Sequence, residues 1–126
     1  MNTVANRSGK LGPNGHGTSH WWWQRITALA LVPLLVWLAV SALSVQIADT
    51  ASVIHWMRSG IRPVLLCALL LVAAQHSYLG LRVIVDDYVS RVGVRAAMVV
   101  LLQGMHVLLA GAGVLSVLWV AIGAPP

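Results

Sequence analysis

Three apolar runs without a single charged residue, 26–48, 63–81 and 97–122, constrain this chain more than any motif in it. A helix needs about 20 residues to cross about 30 Å of hydrocarbon. Two of the runs exceed that length and the third falls just short of it. In lipid each segment must satisfy its own backbone N–H and C=O groups, so such runs are read as helices. The composition agrees: of 126 residues, 59% are hydrophobic and 9% charged, where a soluble domain would carry about a quarter charged. The expected fold is an all-α membrane protein with three transmembrane helices, over about 26–48, 63–85 and 95–122.

The net charge of +5 does not point to nucleic acid, because the basic residues are scattered and no basic patch interleaves with aromatics in a polar segment. Their placement follows membrane topology instead. With the N-terminus inside, the inner side receives Arg7, Lys10, Arg25, Arg82, Arg91 and Arg95, and the outer loop only Arg58 and Arg62. Basic residues concentrate on the cytoplasmic side, so the expectation is N-terminus inside and C-terminus outside. The first apolar run is too long for the core of a secretion signal and no clear cleavage site closes it, so helix 1 is read as retained. Cys67 is alone, which excludes a disulfide framework.

Two regions follow. Residues 1–25 are read as a flexible cytoplasmic segment ending in the cluster Trp21-Trp22-Trp23 beside Arg25, which suits the headgroup level. Residues 26–126 form the three-helix domain, with Pro33 inside helix 1 and Ile54-His55-Trp56-Met57 along the outer interface. Gly104, Gly111 and Gly113 would permit close helix approach.

The candidate site lies on helix 2. His76 is set in the middle of an apolar run, where an ionisable side chain is expensive and usually functional. At about 100° per residue, Ala73, His76, Gly80, Val83 and Asp87 share one stripe. Its small members leave room for a flat macrocycle against the helix. The plain structural reading of His76 is a histidine bonded across the bundle; the functional one is haem ligation by a neutral imidazole nitrogen. A low-spin haem takes two axial ligands, so a partner subunit or His106 must supply the second. The partner is the preferred source, with His106 structural. Arg25, assisted by His20, is the candidate partner of a haem propionate, or else a topology-setting charge. Asp87 and Tyr88 follow His76 by eleven and twelve residues, about 16 Å along the axis for Asp87. A phenol can donate to a quinone oxygen as it becomes anionic, and a carboxylate whose pKa is raised by burial can pass protons; as plain structure they are an interfacial anchor and a helix-terminal acid.

The stretch His76-Ser-Tyr-Leu-Gly80-Leu-Arg-Val-Ile-Val-Asp86-Asp87-Tyr88 resembles the H-x3-G-x6-D-Y signature of the SdhD-type hydrophobic membrane anchor subunit of succinate dehydrogenase, respiratory complex II. Trp23-Gln24-Arg25-Ile26-Thr27-Ala28 is similar to that family's entry into helix 1. The resemblance implies packing against a second, SdhC-type anchor subunit in the bacterial inner membrane, beneath iron–sulfur and flavoprotein subunits. It implies a shared haem b with His76 as axial ligand and Arg25 at a propionate, and a ubiquinone site with Tyr88 and Asp87. The chain would then serve succinate:ubiquinone oxidoreduction as part of an enzyme complex and carry no flavin or iron–sulfur chemistry itself. Two rival readings are a stand-alone small cytochrome b using His76 and His106, and a structural three-helix protein without cofactor.

Overall fold

A computed structural model describes residues 15–123, with side chains from Ser19 onward. Four helices follow one another: α1 Gly15–Ala42, α2 Thr50–Arg58, α3 Arg62–Tyr88 and α4 Val92–Ile122. Three of them, Ser19–Ala42 of α1 together with α3 and α4, are long and apolar enough to cross a membrane, and no strand occurs among the described residues. The all-α, three-span expectation therefore holds, while the first helix differs at both ends. It begins at Gly15 rather than near Ile26, so the tryptophan cluster rides on helical turns. Ser19, His20, Gln24 and Arg25 mark where apolar sequence begins, but none of them breaks a helix. It stops at Ala42 rather than Ala48 because Ser44 turns back, its hydroxyl donating to the Ser41 carbonyl at 2.7 Å and competing with the helical ladder. Of the segment read as flexible, residues 1–14 lie outside the described residues.

The connection between α1 and α3 is more ordered than a loop. Asp49 caps α2, its carboxylate accepting from the Ala51 and Ser52 backbone amides at 3.3 and 3.0 Å and from the Ser52 hydroxyl. Gly60, at φ 63, makes the left-handed turn into α3, where Pro63 occupies a first-turn position that needs no N–H. Arg62 bonds the Trp56 carbonyl at 3.2 Å and lies 5.4 Å from its ring centroid, while Trp37 of α1 stacks on the same indole at 6.2 Å. Arg58 donates to the Val120 carbonyl at 2.8 Å, close to the left-handed Gly123 that ends α4. These bonds tie α2 to the ends of all three long helices.

α3 packs against α1 on one side and α4 on the other, with no close backbone approach between α1 and α4 among the described residues. The three spans thus form a row with α3 in the middle. The buried set reflects this: Leu69, Tyr78, Leu79 and Val85 belong to α3, against single buried residues, Thr27 and Val117, on α1 and α4. Both contacts are antiparallel with clear registers. Ser77 meets His106 and Leu70 meets Gly113 across the α3–α4 seam. Of the three glycines read as contact points, only Gly113 is one, since a Cβ there would come within 3.1 Å of Leu70, whereas Gly104 and Gly111 face open space.

Gly113→Leu should therefore force α3 and α4 apart and cost about 1–3 kcal/mol, while Gly104→Leu should leave the thermal unfolding of the reconstituted chain unchanged. Asp49 gives a pH dependence. The Ser52 hydroxyl and the amides beneath it hold its carboxyl below the usual carboxylate range. A depressed folded-state pKa adds stability that is complete above the unfolded value and is lost as pH falls through the folded one. The protection of the Ala51 and Ser52 amides, taken relative to the intrinsic exchange rate at each pH, should accordingly fall on acidification below that range, and Asp49→Asn should flatten the response.

Candidate functional site

α1 approaches α3 along the stripe that carries His76. The Thr27 hydroxyl oxygen lies 3.0 Å from His76 Nδ1. Thr27 is 6% exposed, the one buried polar residue among those described. Its hydroxyl also reaches back to its own helix, 2.8 Å from the Trp23 carbonyl and 3.0 Å from that of Gln24. His76 Nε2 has no hydrogen-bond partner among the described residues. The imidazole therefore has one nitrogen engaged by α1 and the other uncommitted.

The same register sets Gln24 beside Gly80, its amide nitrogen 3.6 Å from where a Cβ would lie. The small residue read as leaving room for a macrocycle instead receives a side chain of α1. One turn further down, His20, Trp23, Gln75, Leu79 and Arg82 line a cavity of about 410 Å³ between the two helices. His20 Nε2, Gln24 Oε1 and Arg82 Nε are buried in this region without a hydrogen-bond partner among the described residues. Arg82 does pair with Asp86, but at 3.6 Å, too long for a hydrogen bond, and both side chains are partly exposed. Such a pair contributes little to stability.

Arg25 is not brought to this cavity. It lies on the outward side of α1, its guanidinium 4.2 Å from the Trp21 ring centroid, beside a groove of about 310 Å³ lined by Ala28, Leu29 and Val32. His20 and Arg25, paired in the sequence reading, thus occupy different faces of one helix. Depth is also redistributed. Because Thr27 is level with His76, Arg25 is only about 3 Å from that level along the axis. The C-terminal end of α3, with Asp87 and Tyr88, extends well past it.

Asp87 and Tyr88 end α3 and both are exposed, Tyr88 at 84%. Among the described residues nothing buries Asp87. His106 faces the other seam. Its Nδ1 is 2.8 Å from the Leu102 carbonyl, its Nε2 is 3.2 Å from the Ser77 hydroxyl, and its ring meets Tyr78 edge-on at 6.0 Å. Both of its nitrogens are engaged, so His76 and His106 sit on opposite contacts of α3 in different states. Among the described residues no group of three or more His, Cys, Asp or Glu side chains could hold a bare metal ion.

The residue that sequence reasoning passed over is Thr27. It lies inside the quoted entry segment, but a hydroxyl in an apolar helix carries no mark of what it will face. Gln24 and Ser77 were passed over for the same reason.

Comparison with known proteins places this geometry. Residues 2–111 match the family described as succinate dehydrogenase/fumarate reductase transmembrane subunit. Among curated proteins, the succinate dehydrogenase hydrophobic membrane anchor subunit of Rickettsia conorii is 28% identical over 88 residues, 69% of this chain and 70% of that protein. Its namesake in Rickettsia bellii is 32% identical over 74 residues, 59% of each chain. That of Rickettsia felis is 29% identical over 87 residues, 69% of this chain and 72% of that one. No solved structure matches significantly. With three candidate spans and a match over most of its length, the chain is a multi-pass membrane protein that belongs to the succinate dehydrogenase/fumarate reductase transmembrane subunit family.

Proposed function

We propose that this chain is the membrane anchor of a succinate:ubiquinone oxidoreductase in a bacterial inner membrane, N-terminus inside, helping to hold haem b and ubiquinone. The observation that carries the reading is His76, near the middle of the central helix, with Nδ1 engaged by Thr27 and Nε2 without a partner. A nitrogen left uncommitted at that depth suits an axial ligand. The orphaned His20 Nε2 in the α1–α3 cavity suits an anionic substituent, as a propionate would be. Arg25, close to the depth of His76, offers a fixed charge from another face.

In this reading a second anchor subunit would contribute the other haem ligand and cover the outward faces of α1 and α3. Haem b, when bound, supplies a one-electron centre beside the quinone. His76 fixes its position and orientation. At the inner end of α3, the Tyr88 hydroxyl donates to a quinone carbonyl oxygen, a bond that strengthens as negative charge builds there. Asp87 passes protons from the aqueous side once a partner surface covers it, since its work as a relay depends on partial burial. Reduction of the quinone takes two electrons and two protons; the electrons come from an iron–sulfur subunit, and the flavin chemistry on succinate belongs to another subunit. The stand-alone cytochrome would need a nitrogen of His106, and both are hydrogen-bonded.

The test is a reduced-minus-oxidised optical spectrum of the purified membrane complex. The b-type signal should disappear or change ligation in His76→Ala and persist in His106→Phe. An unchanged signal in His76→Ala, or none in the parent, overturns the haem assignment. For the quinone site, Tyr88→Phe should lower succinate-dependent quinone reduction on the order of 100-fold. Succinate oxidation by an artificial dye acceptor should be unaffected.

A further inference from the structure

The hydroxyl of Thr27 has one proton and accepting lone pairs, and three groups compete for it. Two are backbone carbonyls, of Trp23 at 2.8 Å and Gln24 at 3.0 Å, which can only accept. They take the hydroxyl proton, singly or shared. What remains toward His76 Nδ1, at 3.0 Å, is the accepting side of the oxygen. With the hydroxyl proton held by α1, the imidazole donates there. A neutral histidine that carries its proton on Nδ1 has its lone pair on Nε2, the nitrogen with no partner among the described residues.

We propose that Thr27 is the positioning residue of the haem site. It fixes the tautomer and rotation of His76 so that Nε2 is presented as the ligand. The inference rests on the haem reading above and adds the residue that sets up its ligand. Hydrogen bonds to the remote nitrogen of a ligating histidine orient the ring and tune its basicity, and their loss commonly costs 10–100-fold in affinity or activity. The site uses a neutral hydroxyl whose own proton is held by α1. That couples the orientation of His76 to the lie of α1 against α3: a shift of one helix along the other breaks the bond. Thr27 is also the one buried polar residue among those described, so burial leaves it no solvent as an alternative partner.

The experiment compares Thr27→Val, Thr27→Ser and His76→Ala in the assembled membrane complex, with haem counted per complex by dye-linked succinate oxidation. Its two further readouts are the haem midpoint potential and the low-temperature electron paramagnetic resonance spectrum of the oxidised haem. Valine keeps the shape and removes the hydroxyl. It should lower haem retention about 10-fold or, where haem stays, raise the midpoint potential and broaden the low-spin signal as the ring loses its fixed orientation. Serine should restore the parent spectrum. Should valine block assembly, Thr27→Ala is the hydroxyl-free replacement that introduces no bulk, with the same expected signature. If the hydroxyl-free variants leave occupancy, potential and spectrum unchanged while His76→Ala removes the signal, Thr27 only packs, and the proposal falls with the haem reading intact. If His76→Ala also leaves the signal in place, both fall.

Discussion

Among the described residues a part-buried hydrogen-bond contact, Thr27 to His76, joins α1 to α3, and much of the arrangement follows from it. Between helices in lipid there is no hydrophobic drive to associate, because the tails are as apolar as the side chains; packing and interhelical hydrogen bonds must decide which faces meet. Such a bond contributes only about 0.6–2 kcal/mol, but it is directional. A shift of one residue would move the Thr27 hydroxyl off His76 Nδ1 and strand that nitrogen. The register that satisfies both also sets Gln24 into the Gly80 notch and His20 level with Arg82.

The second seam is built differently. α3 and α4 close on Gly113 against Leu70, with His106 satisfied locally by Leu102 and across the seam by Ser77. One side of α3 thus ends in an uncommitted histidine nitrogen and the other in a histidine with none to spare. Because α1 and α4 make no close backbone approach among the described residues, the row leaves both flanks of α3 open on its two broad faces. A membrane anchor subunit of the succinate dehydrogenase family works within a complex, and a row of helices is suited to pairing along a broad face. Asp87 and Tyr88, at the end of α3, are likewise exposed.

Much of this was legible in the residues. Charge-free runs announced the spans, because hydrocarbon tolerates only helices whose backbone is satisfied internally. His76, Asp87 and Tyr88 stood out by residue type and spacing, and so did His106 as a structural histidine. The errors were of boundary and neighbourhood. Charge at Arg25 was taken for the start of helix 1, although a helix continues through polar residues down to Gly15. Asp49 and Ser52 form a cap that turns the connection between α1 and α3 into α2, a signal present in the letters but short enough to pass for a loop.

The sequence by itself determined that the chain is helical, that three of its segments are long and apolar enough to cross a membrane, and where the ionisable residues lie along them. It did so because these depend on residue type and on spacing along one element. Only the tertiary structure decided that Thr27 faces His76, that Arg25 and His20 look in different directions, and that Gly80 accommodates a side chain rather than open space. These depend on the rotation and axial register of one helix against another. That choice is set by a few hydrogen bonds and close contacts between segments some fifty residues apart, and nothing in the local pattern of either segment encodes it.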